Sequence, residues 1–92
     1  MIKRVLAIDI GNTAATVGFY EGGRLIKFGS IYYNDIPKYA SKCYKSGGNS
    51  HLDIVISSVF PEITKKLRSS IEPKIGQKIW IVGGNLPIKI RH

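Results

Sequence analysis

An α/β fold built on a mixed five-stranded sheet is predicted by three observations. Apolar runs of strand length open the chain and recur near its middle and its end. The first two connections are short and glycine-bearing, as in hairpins. The later runs are separated by segments whose apolar residues recur at helical spacing. The predicted order is β-β-β-α-β-α-β. A meander followed by two crossover units gives strand order 3-2-1-4-5, with helices on the sheet's faces.

Lys3 to Asp9 reads as the first strand, and its run Val5-Leu6-Ala7-Ile8 predicts a central position buried on both faces. Gly11-Asn12 supplies the turn, since both residues tolerate positive φ. Ala14 to Glu21 forms the second strand, with Val17 and Phe19 on one face and Thr16, Gly18 and Tyr20 on the other. Glu21-Gly22-Gly23-Arg24 is a second hairpin turn into the strand Leu25 to Ile31. Asn34 or Asp35 then caps a helix that has Pro37 in its first turn and Ile36, Tyr39, Ala40, Cys43 and Tyr44 on one face. The loop from Ser46 to Ser50 ends it and is the expected mobile segment. Leu52 to Ser57 is the fourth strand, parallel to the first. A second helix begins at Pro61 and buries Ile63, Leu67 and Ile71, and Pro73 and Gly76 are expected to stop it. Lys78 to Val82 is the fifth strand, broken by Gly83-Gly84-Asn85, and Leu86 to His92 is an extended tail.

The length of 92 residues reads as one domain, 1–92, with one modest core. No stretch approaches the roughly 20 continuous apolar residues of a membrane span, and the run after Met1-Ile2-Lys3-Arg4 stops at Asp9, too soon for a signal peptide. The single cysteine, Cys43, cannot form an internal disulfide, which fits a cytoplasmic setting. The net charge is +8, but the basic residues are spread along the chain apart from Lys65, Lys66 and Arg68. That pattern reads as a solvated surface rather than a nucleic-acid site.

The stretch that carries chemistry is Asp9-Ile10-Gly11-Asn12-Thr13. A tight turn converges backbone N–H groups on one point, and glycine lets a phosphate come close. Thr13 adds a hydroxyl. Asp9 would repel phosphate, so its sensible role is to hold Mg²⁺, directly or through water. A structural aspartate on a hairpin turn would give the same residues. The lysine of a P-loop and the Gly-x-Gly-x-x-Gly of a dinucleotide fold are both lacking.

Three segments in order extend this reading. Asp9-Ile10-Gly11-Asn12-Thr13 resembles the phosphate-binding turn of the actin and hexokinase superfamily, and of type III pantothenate kinases in particular. Ile56-Ser57-Ser58-Val59-Phe60-Pro61 resembles that family's Ser-Ser-Val-x-Pro signature, and Val82-Gly83-Gly84-Asn85-Leu86-Pro87-Ile88-Lys89 its glycine-rich segment. The resemblance implies a ribonuclease H-like, actin-like ATPase lobe from an enzyme that uses ATP and Mg²⁺ to phosphorylate pantothenate, the first step toward coenzyme A. It also implies a monovalent cation (K⁺ or NH₄⁺) and dimers. By carry-over, Asp9, Ile10, Gly11, Asn12, Thr13, Ala14, Ala15 and Thr16 form the ATP-phosphate segment, with Asp9 serving the metal. Ser57 and Ser58 would border the cleft, or else cap the helix that starts at Pro61.

Departures from the family pattern bear on activity. The family's catalytic aspartate, in a Gly-x-Asp-Arg motif, has no counterpart here, and the family's pantothenate-binding tyrosine falls at Ile90 or His92. Ala14 and Ala15 stand where the family more often has polar residues. Asp35, Asp53, His51 and His92 are poorly placed to act as the base. The chain is thus expected to resemble the amino-terminal lobe of a two-lobed kinase, with the second lobe absent, no catalytic base of its own and no turnover alone. Exposed apolar surface would favour self-association. A non-catalytic module binding a nucleotide or a partner is the alternative.

Overall fold

A computed structural model describes residues 3–46, 51–58, 60–76 and 79–82. Five strands form one sheet in the order β3-β2-β1-β4-β5. They are β1 (Arg4–Ile10), β2 (Ala15–Glu21), β3 (Arg24–Ile31), β4 (Leu52–Ser57) and β5 (Trp80–Val82). β1 pairs antiparallel with β2 and parallel with β4, so the meander and the crossover part meet at β1. The helices are α1 (Ile36–Ser46) and α2 (Pro61–Ile75). The predicted topology and strand order are those observed.

Both helices pack on one face of the sheet. The core there joins Leu6, Ile8 and Ile10 of β1, Ala15 and Val17 of β2, and Leu52, Ile54 and Ile56 of β4 to Ile36, Ala40, Leu67, Ile71 and Ile75 of the helices. Each of the larger apolar side chains contributes about 1.5–3 kcal/mol through burial. The opposite face of β1 was expected to be buried too. Instead Val5 and Ala7 are half-buried and Asp9 is exposed, because no described element covers that side. The alternation that β1 shows in burial is therefore that of a sheet with one open face.

The hairpin from β2 to β3 turns on Gly22 and Gly23, at φ of 61° and 82°, the conformation that two-residue hairpins need. Asn34 and Asp35 lie in a short 3₁₀ turn, Tyr33–Asp35, that leads into α1. Of the two expected stops, Pro73 lies inside α2, which runs on to Ile75, and Gly76 ends it. Pro73 and Ser69 both lie on the exposed side, where solvent replaces the bond that proline cannot donate, and burial of Ile71 and Ile75 holds the turn together. Gly76, at φ of 68°, ends the helix by donating its N–H to the Glu72 carbonyl. The loop at 47–50, Lys78, and the tail from Gly83 to His92, including the glycine-rich motif and Ile90, lie outside the described residues.

Candidate functional site

The open face carries the residues that the sequence singled out. Strand periodicity puts Asp9 on that face at the carboxyl end of β1. Its antiparallel partner on β2 is Thr16, and its parallel partner on β4 is Ser57. The three polar side chains thus form a row across adjacent strands, spaced about 4.8 Å apart along the hydrogen-bonding direction. Asp9 is exposed, and Thr16 and Ser57 are half-buried. Among the described residues the Asp9 carboxylate enters no ion pair. The open-face positions of the central strands are Val5, Ala7, Thr16, Gly18, Tyr20, Asp53, Val55 and Ser57 besides Asp9, and none is basic despite the +8 charge.

The connection from β1 to β2 folds differently from the expected turn. Positive φ among the described residues belongs to Gly22, Gly23 and Gly76, so neither Gly11 nor Asn12 uses it. Gly11 is needed for space instead. Its N–H donates to the Ala14 carbonyl at 3.0 Å, and a Cβ at this position would lie 3.0 Å from the same oxygen. The Gly11 carbonyl accepts a hydrogen bond from the Tyr33 hydroxyl. Both polar backbone groups of Gly11 are therefore committed within the protein. The N–H groups of Asn12 and Thr13 make no backbone hydrogen bond among the described residues, and both residues are exposed. These two amides are the ones available to an anion.

The remaining segment residues divide by face. Ile10 and Ala15 point into the core, so their side chains stand away from the row. Ala14 is half-buried in the turn. Ser58 turns back locally: its hydroxyl accepts the Phe60 N–H at 2.9 Å, just before α2. Val59 of the same signature lies outside the described residues. A groove of about 400 Å³ on the open face takes in Asp9, Thr16 and Ser57 and extends over Ala7, Gly18, Tyr20, Phe28 and Val55.

The other ionisable candidates sit elsewhere. Asp53 is at the start of β4, level with Val5 and at the far end from Asp9, with its carboxylate 2.7 Å from His51 Nε2. Asp35 is in the 3₁₀ turn. Burial pushes the half-buried Cys43 thiol above its usual range, and a hydrogen bond with Tyr39 and the charges of Lys27, Arg4 and Lys42 pull it back in part. That is an inert thiol rather than a nucleophile.

A carboxylate flanked by hydroxyls is a hard oxygen set. No group of three or more histidine, cysteine or acidic residues able to hold a metal occurs among the described residues. A single carboxylate fits Mg²⁺, which keeps waters and takes further ligands from phosphate. Sequence reasoning missed Tyr33, whose contact with Gly11 spans 22 positions and leaves no local signal. A period of two places Gly18 and Tyr20 beside Thr16, but nothing in the sequence signals that they border a groove.

The fold is shared with solved structures of low identity. A Bacteroides thetaiotaomicron protein described as having an actin-like ATPase fold and unknown function matches with TM-score 0.68 and 13% identity, over 87% of this chain and 32% of that one. The Aquifex aeolicus member of the Ppx/GppA family matches with TM-score 0.54 and 12% identity, over 89% of this chain and 35% of that one. A second structure, of the Aquifex aeolicus PPX-GPPA enzyme, gives TM-score 0.51 and 12% identity over 89% and 36%. The chain spans about a third of the length of these structures. A search of curated proteins finds no match. The family model for type III pantothenate kinase matches residues 5–92. An actin-like ATPase fold, with the Asp9 turn at the end of its central strand, is thus joined to a family match over nearly the whole sequence: the chain belongs to the type III pantothenate kinase family.

Proposed function

We propose that this chain is the ATP-phosphate-binding lobe of a kinase that phosphorylates pantothenate. The observation that carries the reading is the row Thr16–Asp9–Ser57 on the open face, beside the free amides of Asn12 and Thr13. The amides donate to phosphate oxygens, helped by the Thr13 hydroxyl. Asp9 anchors Mg²⁺ directly or through water, and Thr16 and Ser57 orient that water or a phosphate oxygen. Mg²⁺ bound with ATP would supply the charge neutralisation that the described central-strand positions, none of them basic, do not. Dependence on a monovalent cation, a cytoplasmic setting and self-association belong to the same proposal. The first rests on family membership alone. No helix among the described residues is long and apolar enough to cross a membrane. Exposed Leu25, Ile26 and Phe28 on the edge strand β3 support self-association.

Phosphoryl transfer needs groups on both sides of the nucleotide and a base for the attacking hydroxyl. We assign both the base and the opposing contacts to structure outside these residues, so this chain alone binds without turning over. Titration of the labelled protein with Mg-ATP tests the reading. Amide shifts confined to Gly11, Asn12 and Thr13, and abolished in Asp9→Ala, are expected; shifts scattered over the basic helices would overturn it.

A non-catalytic binding module is favoured by one observation: the remaining described aspartates, Asp35 and Asp53, lie off the polar row. Radiolabelled ATP with pantothenate and the isolated chain tests our assignment of the base. Turnover above background would show that the chain carries its own base.

A further inference from the structure

We infer that Tyr33 is a positioning residue for the phosphate-binding turn, setting the direction in which the Asn12 amide points. The inference rests on the nucleotide reading above. The Gly11 carbonyl and the Asn12 N–H belong to one peptide unit. In a planar trans peptide they point in opposite directions, and no described peptide is cis. The Tyr33 hydroxyl holds the Gly11 carbonyl toward the start of α1. The Asn12 N–H is thereby directed away from the helix layer. The preceding peptide is fixed as well, because the Gly11 N–H is bonded to Ala14. Glycine is the residue at which a peptide plane turns over most readily. A tether on its carbonyl removes that freedom before a ligand arrives, so less ordering opposes binding.

Tyr33 is suited to this. It lies in the 3₁₀ turn ahead of α1, and its ring is half-buried against the core, lining a pocket with Pro37, Ile63 and Leu67. The hydroxyl is thus carried on a packed ring rather than on a free chain. The sheet supplies the turn, and the helix pair fixes its orientation.

Tyr33→Phe keeps the ring and removes the bond. The expected result is a dissociation constant for Mg-ATP raised about fivefold, the scale of one modest hydrogen bond. The melting temperature should fall by only about 4–8 °C, the scale of one modest hydrogen bond in a domain this size. The Asn12 amide resonance should be displaced, and exchange broadening should appear at Gly11 and Asn12. Tyr33→Leu, which also loses ring packing, should lower the melting temperature further. A simple packing role would leave affinity and the Asn12 resonance untouched in Tyr33→Phe, and that outcome would overturn the inference alone. Failure of the unaltered protein to bind Mg-ATP at the turn would overturn the nucleotide reading and this inference together, and the two failures are distinguished by the unaltered protein's own titration.

Discussion

Asp9 and Ser57 are direct partners across the parallel β1–β4 ladder, and both side chains lie on the face that carries no described helix. The pairing converts two motifs far apart in sequence into one feature. Ser57→Val should leave the strand intact, since valine suits a half-buried strand position. Mg-ATP affinity should fall several-fold, on the scale of about 1 kcal/mol for one lost hydrogen bond. Calorimetric titration checks this, and an unchanged affinity would remove Ser57 from the site.

Asp9→Asn separates charge from shape. The residue is exposed, so stability should change by less than about 0.5 kcal/mol, as at most surface sites. Binding should lose its Mg²⁺ dependence: ATP affinity in magnesium and in chelator should become equal. Persistence of a magnesium effect would place the metal elsewhere.

Gly11→Ala tests the space argument. The added Cβ would meet a backbone oxygen at 3.0 Å, and that oxygen belongs to the turn's own closing bond. Because φ at Gly11 is not positive, the cost comes from crowding alone, about 1–2 kcal/mol. Urea denaturation should show that loss, with Mg-ATP binding weakened in parallel. A stability equal to the unaltered protein's would show that the turn can relax.

Strand order and the positions of the helices along the chain were legible because period and punctuation agreed: Gly22-Gly23 marked a hairpin, and Ile63, Leu67 and Ile71 marked a helix face. The open face was not legible. Val5 and Ala7 are apolar whether or not a layer covers them, so an apolar run cannot report which faces are packed. Within the turn, the residues were legible but the reason for glycine was not. Sequence offers φ as the usual explanation, whereas at Gly11 a neighbouring oxygen decides. Tyr33 and Arg4 were illegible for a common reason, since each acts on backbone atoms distant in sequence.

Arg4 reads in sequence as a charged terminus, yet it is 1% exposed. Its Nη1 donates to the Cys43 carbonyl at 2.7 Å and its Nη2 to the Tyr44 carbonyl at 3.3 Å. Both carbonyls lie in the last turn of α1, where helix geometry leaves no internal partner and the dipole favours a cation. Arg4→Met should cost about 2–3 kcal/mol, the scale for hydrogen bonds to a charged group. Arg4→Lys should recover only part of it, because one ammonium cannot reproduce the planar fork. Denaturant midpoints for the three proteins check the ranking, and equal stability of the lysine variant would argue against the fork.

Cys43 gives the chain a stability that depends on alkaline pH. Burial raises its thiol pKa in the folded state, against the partial opposition of the Tyr39 hydrogen bond and the Lys27, Arg4 and Lys42 charges. An unfolded thiol loses its proton near pH 8.5, before the folded one does. Above that point the unfolded state binds fewer protons, so stability falls as pH rises toward the folded pKa. Tyr39 is raised by burial and by Cys43, and acts in the same direction at higher pH. Cys43→Ala should therefore show a shallower loss of stability across the thiol range, and a tyrosine-linked decline reduced to the part that burial of Tyr39 causes. Denaturant titrations at successive pH values measure the difference, and iodoacetamide at neutral pH should label Cys43 more slowly than free cysteine. Equal slopes for both proteins would mean that the thiol titrates alike in the folded and unfolded states.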